Sequence, residues 1–343
     1  MAERDPLRVF VTVDTELWPL SGNWPRTPLP AGRKSIEREH DLYILGRTAG
    51  RSYGLPFILE TLQAHELGAT FFIESLHALA VGNESLTSTV ALVRDAGQDV
   101  QLHVHTEWLG DIDAEGLPKL YGPALAGYEM AEQRAIVTSA HQALTAASGS
   151  APRAFRAGSY GAGRETLDVL AEIGIAFDSS HNQAFSESPC RLAATDPLVQ
   201  PARFGSVDEF PVSCFEDYAN HLRHTQVCAT SIAEMRWLLR AAWTAGWNSI
   251  VIVLHSSEFI HKERLTESGG TAKANMRLAR RFEALCAFLA ANRGWLDVAT
   301  FGGLPVDRRV ESAIQPATLR SAAWRTIGRT AEQALNRIEG RWA

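Results

Sequence analysis

Two apolar segments of this chain end in side chains that could do chemistry together. In VFVTVDTELW (residues 9–18) the apolar run breaks into Asp14 and Glu16; in DVQLHVHTEW (residues 99–108) it breaks into His103 and His105. Alternate side chains of an extended strand share a face, so Thr12, Asp14 and Glu16 point one way and Val11 and Val13 the other. By the same count Gln101, His103 and His105 lie opposite Leu102 and Val104. An acidic group at the end of a buried strand carries a desolvation penalty unless something positive sits beside it. Two neutral imidazoles with a carboxylate are a usual ligand set for a divalent transition metal and leave positions open for water and substrate. A metal ion is therefore the expected positive partner of Asp14 and Glu16.

Two further segments follow the same plan. SIVIVLHSSEF (residues 249–259) is apolar until His255, a residue suited to act as a general acid. RAFRAGSYGAG (residues 153–163) carries Arg156 just before a glycine-rich turn. A buried arginine requires a carboxylate, and Asp14 and Asp178 are the candidates.

These segments belong to a repeating order of apolar strand and helix-period stretch. LRVFVTVD, GATFFIES, DVQLHVH, RAFRAG, IAFDSS, VDEFPVS, SIVIVLHSS and WLDVAT read as strands, with helices between most of them and a long one from about Ala272 to Arg293. Seven or eight such units predict an α/β fold with a parallel barrel, complete or incomplete, whose site gathers at the carboxyl ends of the strands. The barrel is expected over residues 1–310. A long connection at 17–51, rich in Pro, Gly, Arg and Trp, is expected to roof the site. Trp18, Trp24 and Trp108 either stack on sugar rings or pack. Residues 311–343 form a C-terminal helical extension, with Trp324, Ile327, Ala331, Leu335 and Ile338 at helical spacing among Arg320, Arg325, Arg329 and Arg337; a packing or oligomer contact is expected of it.

The chain has 343 residues, 45% of them hydrophobic, which allows a sizeable core. A net charge of −6 offers no basic footprint for nucleic acid and no reason to expect an anionic membrane surface as partner. Cys190, Cys214, Cys228 and Cys286 form no CxxC pair, so buried thiols are expected rather than a zinc cluster or disulfide framework. The first residues lack the long apolar stretch of a secretory signal and no window reaches membrane-spanning length, so a cytoplasmic protein is the expectation.

In their order along roughly residues 7–302, the strand ending in Asp14, GATFFIES, the histidine strand, FRAGSYG and VLHS resemble the polysaccharide deacetylase family, the NodB-homology carbohydrate esterases. The resemblance implies a distorted (β/α)7-type barrel. It also implies a metal-dependent hydrolase that removes N- or O-linked acetyl groups from a glycan or glycan precursor, so that an acetylated carbohydrate is the partner. Zinc is the first expectation for the metal, with cobalt, nickel or manganese able to replace it. Asp14 falls on the family's base, Glu16 on the acidic ligand position and His103 on the first metal histidine. The second metal histidine usually comes four residues later, which here is Glu107; His105 is the alternative and is placed ahead of it. Arg156 falls on the arginine that orients the base, Tyr160 on the position whose backbone N–H helps hold the oxyanion, and His255 on the acid. The family's usual proline in the arginine motif is replaced around Ala157 and Gly158. Two other readings stand beside this one: a hydrolase of cyclic or other non-sugar amides, and an inactive barrel that binds a glycan or a protein partner, supported by Glu107.

Overall fold

The computed structural model describes residues 5–20, 23–29, 36–185, 192, 198–218, 221–261, 272–305 and 315–342, with side chains on the last helix as far as residue 337. Cys190, Ile338 and parts of the 17–51 and 311–343 segments lie outside that description. The described residues form thirteen strands: β1 (Leu7–Thr15), β2 (Thr70–Glu74), β3 (Asp99–Val104), β4 (Ala154–Ala157), β5 (Phe177–Asp178), β6 (Ala202–Phe204), β7 (Val207–Glu209), β8 (Cys214–Tyr218), β9 (His221–His224), β10 (Ser249–His255), β11 (Ile260–His261), β12 (Lys273–Ala274) and β13 (Leu296–Ala299). The helices are α1 (Glu37–Glu39), α2 (Leu55–Ala64), α3 (His77–Val81), α4 (Glu84–Asp95), α5 (Met130–Ser148), α6 (Arg164–Glu172), α7 (Ile232–Thr244), α8 (Met276–Ala291) and α9 (Ala323–Trp342).

One curled sheet runs β10-β1-β2-β3-β4-β5-β7-β6, parallel except for β6, and β13 adds to β1. β13 and β2 share one edge of β1, the first along Leu7–Phe10 and the second along Thr12–Thr15. This is the (β/α)7-type barrel expected, left open: among the described residues β10 and β6 do not pair to close it.

The alternation along β1 decides what faces where. Val9, Val11 and Val13 pack outward into the main core with helix residues such as Leu55, Ile58 and Leu62. Phe10 points inward, where it joins Phe72, Phe177, Phe210 and Phe301 as an aromatic plug; the Phe10 and Phe301 rings stack at 4.7 Å. Above the plug comes a buried polar layer of Thr12, Asp14, Arg156 and Ser179. Parallel register then sets the strand ends side by side, Asp14 beside His255, Glu74 beside His103, and His103 beside Arg156.

Several elements differ from the expected rhythm. The long helix α8 starts at Met276, not Ala272, because Asn275 caps it by accepting from the Leu278 N–H, while Lys273–Ala274 pair with β11 in a small hairpin. β8 and β9 form a separate antiparallel hairpin outside the β/α repeat. α7 begins in a capping box in which Ser231 Oγ accepts from the Glu234 N–H and Glu234 accepts from the Ser231 N–H. The extension α9 is helical, but Trp324, Ile327 and Leu335 are exposed, while Arg329 is buried against Asp217 and Glu234. Cys214 and Cys286 are buried free thiols and Cys228 is half-buried. Among the described residues no helix is long and apolar enough to cross a membrane.

Candidate active site and metal centre

Seven of the eight residues singled out above line one cavity of about 440 Å³ at the carboxyl ends of the strands: Asp14, Glu16, His103, His105, Glu107, Tyr160 and His255. Arg156, the eighth, lies fully buried beneath it.

Glu16 follows β1 and receives the imidazoles. Its Oε1 lies 3.2 Å from His103 Nε2, 3.0 Å from His105 Nε2 and 3.7 Å from His255 Nε2. Trp18 Nε1 donates to its other oxygen at 2.8 Å. The far nitrogens of the two strand histidines are also engaged. His103 Nδ1 meets the Arg156 carbonyl oxygen at 2.7 Å, an acceptor only, so Nδ1 carries a proton, and Nε2 can donate to Glu16 when protonated or give its lone pair to an ion. His105 Nδ1 faces Glu107 Oε2 at 3.2 Å, which favours a proton on that nitrogen as well.

Arg156 finds the carboxylate its burial demands, and of the two candidates it is Asp14. Its Nη1 donates to Asp14 Oδ1 at 2.6 Å and to Thr12 Oγ1 at 2.9 Å, while Nε and Nη2 donate to the Ser179 carbonyl and hydroxyl. Asp178 instead accepts from the Ser180 hydroxyl. The guanidinium also lies 4.4 Å from the Phe72 ring centroid, resting on the aromatic plug.

Whether a divalent ion fits can be judged from the donors. Ligand atoms of Glu16, His103 and His105 lie within 4.8 Å of one another. A tetrahedral ion with bonds of about 2.0–2.1 Å separates neighbouring ligands by about 3.3 Å, close to the Glu16–histidine distances found. The residues fit. A second group, Asp14, Glu16 and His255, meets the same distance limit, but Asp14 is already held by Arg156.

Residues 49–177 match the family model of polysaccharide deacetylase. Among solved structures, a Mycobacterium smegmatis protein named as a candidate polysaccharide deacetylase is 19% identical over 88% of this chain and 90% of its own, with a TM-score of 0.51. Residues 49–177 are therefore similar to polysaccharide deacetylases, and the Mycobacterium smegmatis structure shares its fold with most of the chain. A Streptomyces lividans family 4 carbohydrate esterase in complex with acetate is 14% identical over 86% of this chain and 93% of its own, TM-score 0.40. A Bacillus anthracis pseudoenzyme of that esterase family is 13% identical over 89% of this chain and 67% of its own, TM-score 0.40. No curated protein matches the chain.

The departures of this chain from the motifs of the family it resembles have local physical reasons. Gly158 stands in the altered arginine motif because a Cβ there would come within 2.6 Å of His105 Nδ1, inside the ring's contact distance. Ser159 and Tyr160 then turn the chain through left-handed backbone, at φ 51° and 57°. Tyr160 stacks on Phe185, and both line the cavity, with the His224 ring 5.3 Å from Phe185.

Electrostatics tie the cluster together. Burial alone would raise the Glu16 carboxyl, but His105, His255 and the imidazole hydrogen bonds hold it well below the usual range. Burial would likewise lower His105, yet Glu16 and Glu107 push it well up. His255 is brought to about 9 against the desolvation of burial by Glu16, Glu258 and Asp14.

Residues beyond the sequence expectation complete the site. Glu258 Oε1 faces His255 Nδ1 at 3.2 Å, and the Gln226 amide lies 3.1 Å from the same nitrogen. Glu258, three residues after His255, was within reach of a spacing argument; Gln226 and Phe185 come from segments with no periodic signal. Of the three tryptophans, Trp18 borders the cavity and packs edge-on against His105 at 4.5 Å, Trp24 fills the space between Trp18 and Trp108, and Trp108 is buried.

Proposed function

We propose that this protein is a metal-dependent hydrolase that removes N- or O-linked acetyl groups from a glycan or glycan precursor. The observation that carries the reading is the convergence of Glu16, His103 and His105 on one point, between the Asp14–Arg156 pair and His255.

Glu16, His103 and His105 would hold the ion, with Glu107 orienting His105 rather than binding. A divalent ion in such a site supplies Lewis acidity toward a water molecule and a carbonyl oxygen. Asp14 is the base that takes the water proton, aimed by its bond from Arg156. The Tyr160 backbone N–H would donate to the developing oxyanion. His255, raised by Glu16, Glu258 and Asp14 against the desolvation of burial, gives its proton to the departing amine or alcohol. Zinc suits the two-histidine, one-carboxylate set, and cobalt, nickel or manganese could occupy it.

Acetate release from N- and O-acetylated sugars, before and after chelation, tests the reading. Release that stops on chelation and returns with added zinc is expected; no release from metal-loaded protein on any acetylated sugar would sink it.

A pH profile probes the acid. Removing the Glu258 anion destabilises protonated His255, so Glu258→Gln should move the basic limb of the rate profile down by roughly one unit. In the loaded wild type the ion offsets part of the Glu16 attraction, so that limb should lie below 9. A basic limb that stays in place in the variant removes His255 from the role.

A further inference from the structure

The last helix is amphipathic in the inverted sense. At 100° per residue Trp324, Ile327, Ala331 and Leu335 fall within an arc of roughly 80°, and Arg329 lies nearly opposite. The side turned to the body is polar: Arg329 bonds Asp217 and Glu234, Glu332 meets Arg281 at 2.7 Å, and Thr326 donates to the Asp217 carbonyl. The apolar arc therefore points to solvent, with Trp324 63%, Ile327 70% and Leu335 49% exposed.

Beside the start of this ridge a groove of about 730 Å³ runs between α7 and α9. Arg236, Arg240, Arg325, Trp237 and Trp324 line it. The arginines rest on rings, Arg236 and Arg240 over Phe288 and Arg325 over Trp237 and Trp324; among the described residues none of the three has a carboxylate partner. The net charge of −6 is a sum over the chain and does not reveal this local group of arginines.

We propose that α9 lies flat on an anionic membrane surface, its Trp324–Leu335 ridge among the acyl chains and lipid phosphates over Arg236, Arg240 and Arg325. A straight apolar ridge bordered by tryptophan and rimmed by arginine is the pattern of a helix seated in the headgroup region. A convex ridge suits a deformable surface better than the groove of a protein. A second copy would have to bring carboxylates to three arginines, and the exposed ridge it would pair with carries none. The inference stands independently of the hydrolase reading.

Flotation of the full chain with vesicles tests it, using phosphatidylcholine alone and phosphatidylcholine mixed with phosphatidylglycerol. Binding is expected to the anionic vesicles, to weaken with salt, and to be lost in the Ile327→Asp, Leu335→Asp double variant. Alanine at Arg236, Arg240 or Arg325 should weaken it about fivefold each. All five positions lie at the surface or groove rim, so circular dichroism of the variants should match the wild type. Absence of binding to anionic vesicles, or unchanged binding by the double variant, overturns the proposal. So does a dimer in sedimentation that the double variant dissolves without any vesicle binding, which would give the ridge to a second copy.

Discussion

Asp14→Asn should lower turnover by on the order of 10²–10⁴-fold, the contribution of a positioned general base, and leave the metal in place. The two halves of that result have separate causes. The asparagine amide keeps an oxygen for Arg156 Nη1 to bond, so the buried layer beneath the site holds its geometry. It has no basicity for a water proton. Glu16, His103 and His105 are untouched, and they are the set that fits an ion without disturbing an ion pair. Turnover on an acetylated substrate and elemental analysis of the same sample are the two measurements. Loss of the ion with the carboxylate would make Asp14 a ligand and favour the alternative group it forms with Glu16 and His255.

Arg156→Ala should cost about 3–5 kcal/mol of stability, because it leaves a buried carboxylate without its cation. The residue bonds four protein groups and is fully buried, so the deletion leaves the Asp14 carboxylate without its cation and takes a donor from the Thr12 hydroxyl and both Ser179 oxygens. Lysine cannot replace it, having one point charge where the site uses a planar fork. Pairing Arg156→Met with Asp14→Leu removes both charges, and this double variant should recover most of the stability while staying inactive. Denaturant unfolding of the single and double variants decides the matter. A single variant as stable as the wild type would show that the pair does not hold the polar layer together.

The inner and outer faces of β1 and β3 were legible because a strand has a period of two and polar residues interrupted it on one face only. Val11 and Val13 did pack outward, and Thr12, Asp14 and His103 did turn inward. His255 was legible as the end of an apolar strand, and the parallel pairing of β10 with β1 is what sets it beside Asp14. The choice between His105 and Glu107 was not legible, because spacing along one strand says nothing about the second contact each side chain makes. In the structure Glu107 faces the outer nitrogen of His105 at 3.2 Å, a contact that supports His105 as the proposed ligand with Glu107 behind it. Gly158 was hidden for a related reason: its need is space for a ring 53 positions away along the chain. For α9, periodicity identified the residues that share a face without saying which face meets the body. There the salt bridges of Arg329 outweighed the apolar stripe and turned it outward.

The central claim is that Glu16, His103 and His105 form a metal site, and metal content tests it most directly. Elemental analysis of the purified full chain should find about one divalent ion per molecule in the wild type and none in His103→Ala, as a site with one of its three protein ligands removed no longer holds its ion. A wild-type protein that takes up no ion even when zinc, cobalt and nickel are each offered would contradict the account.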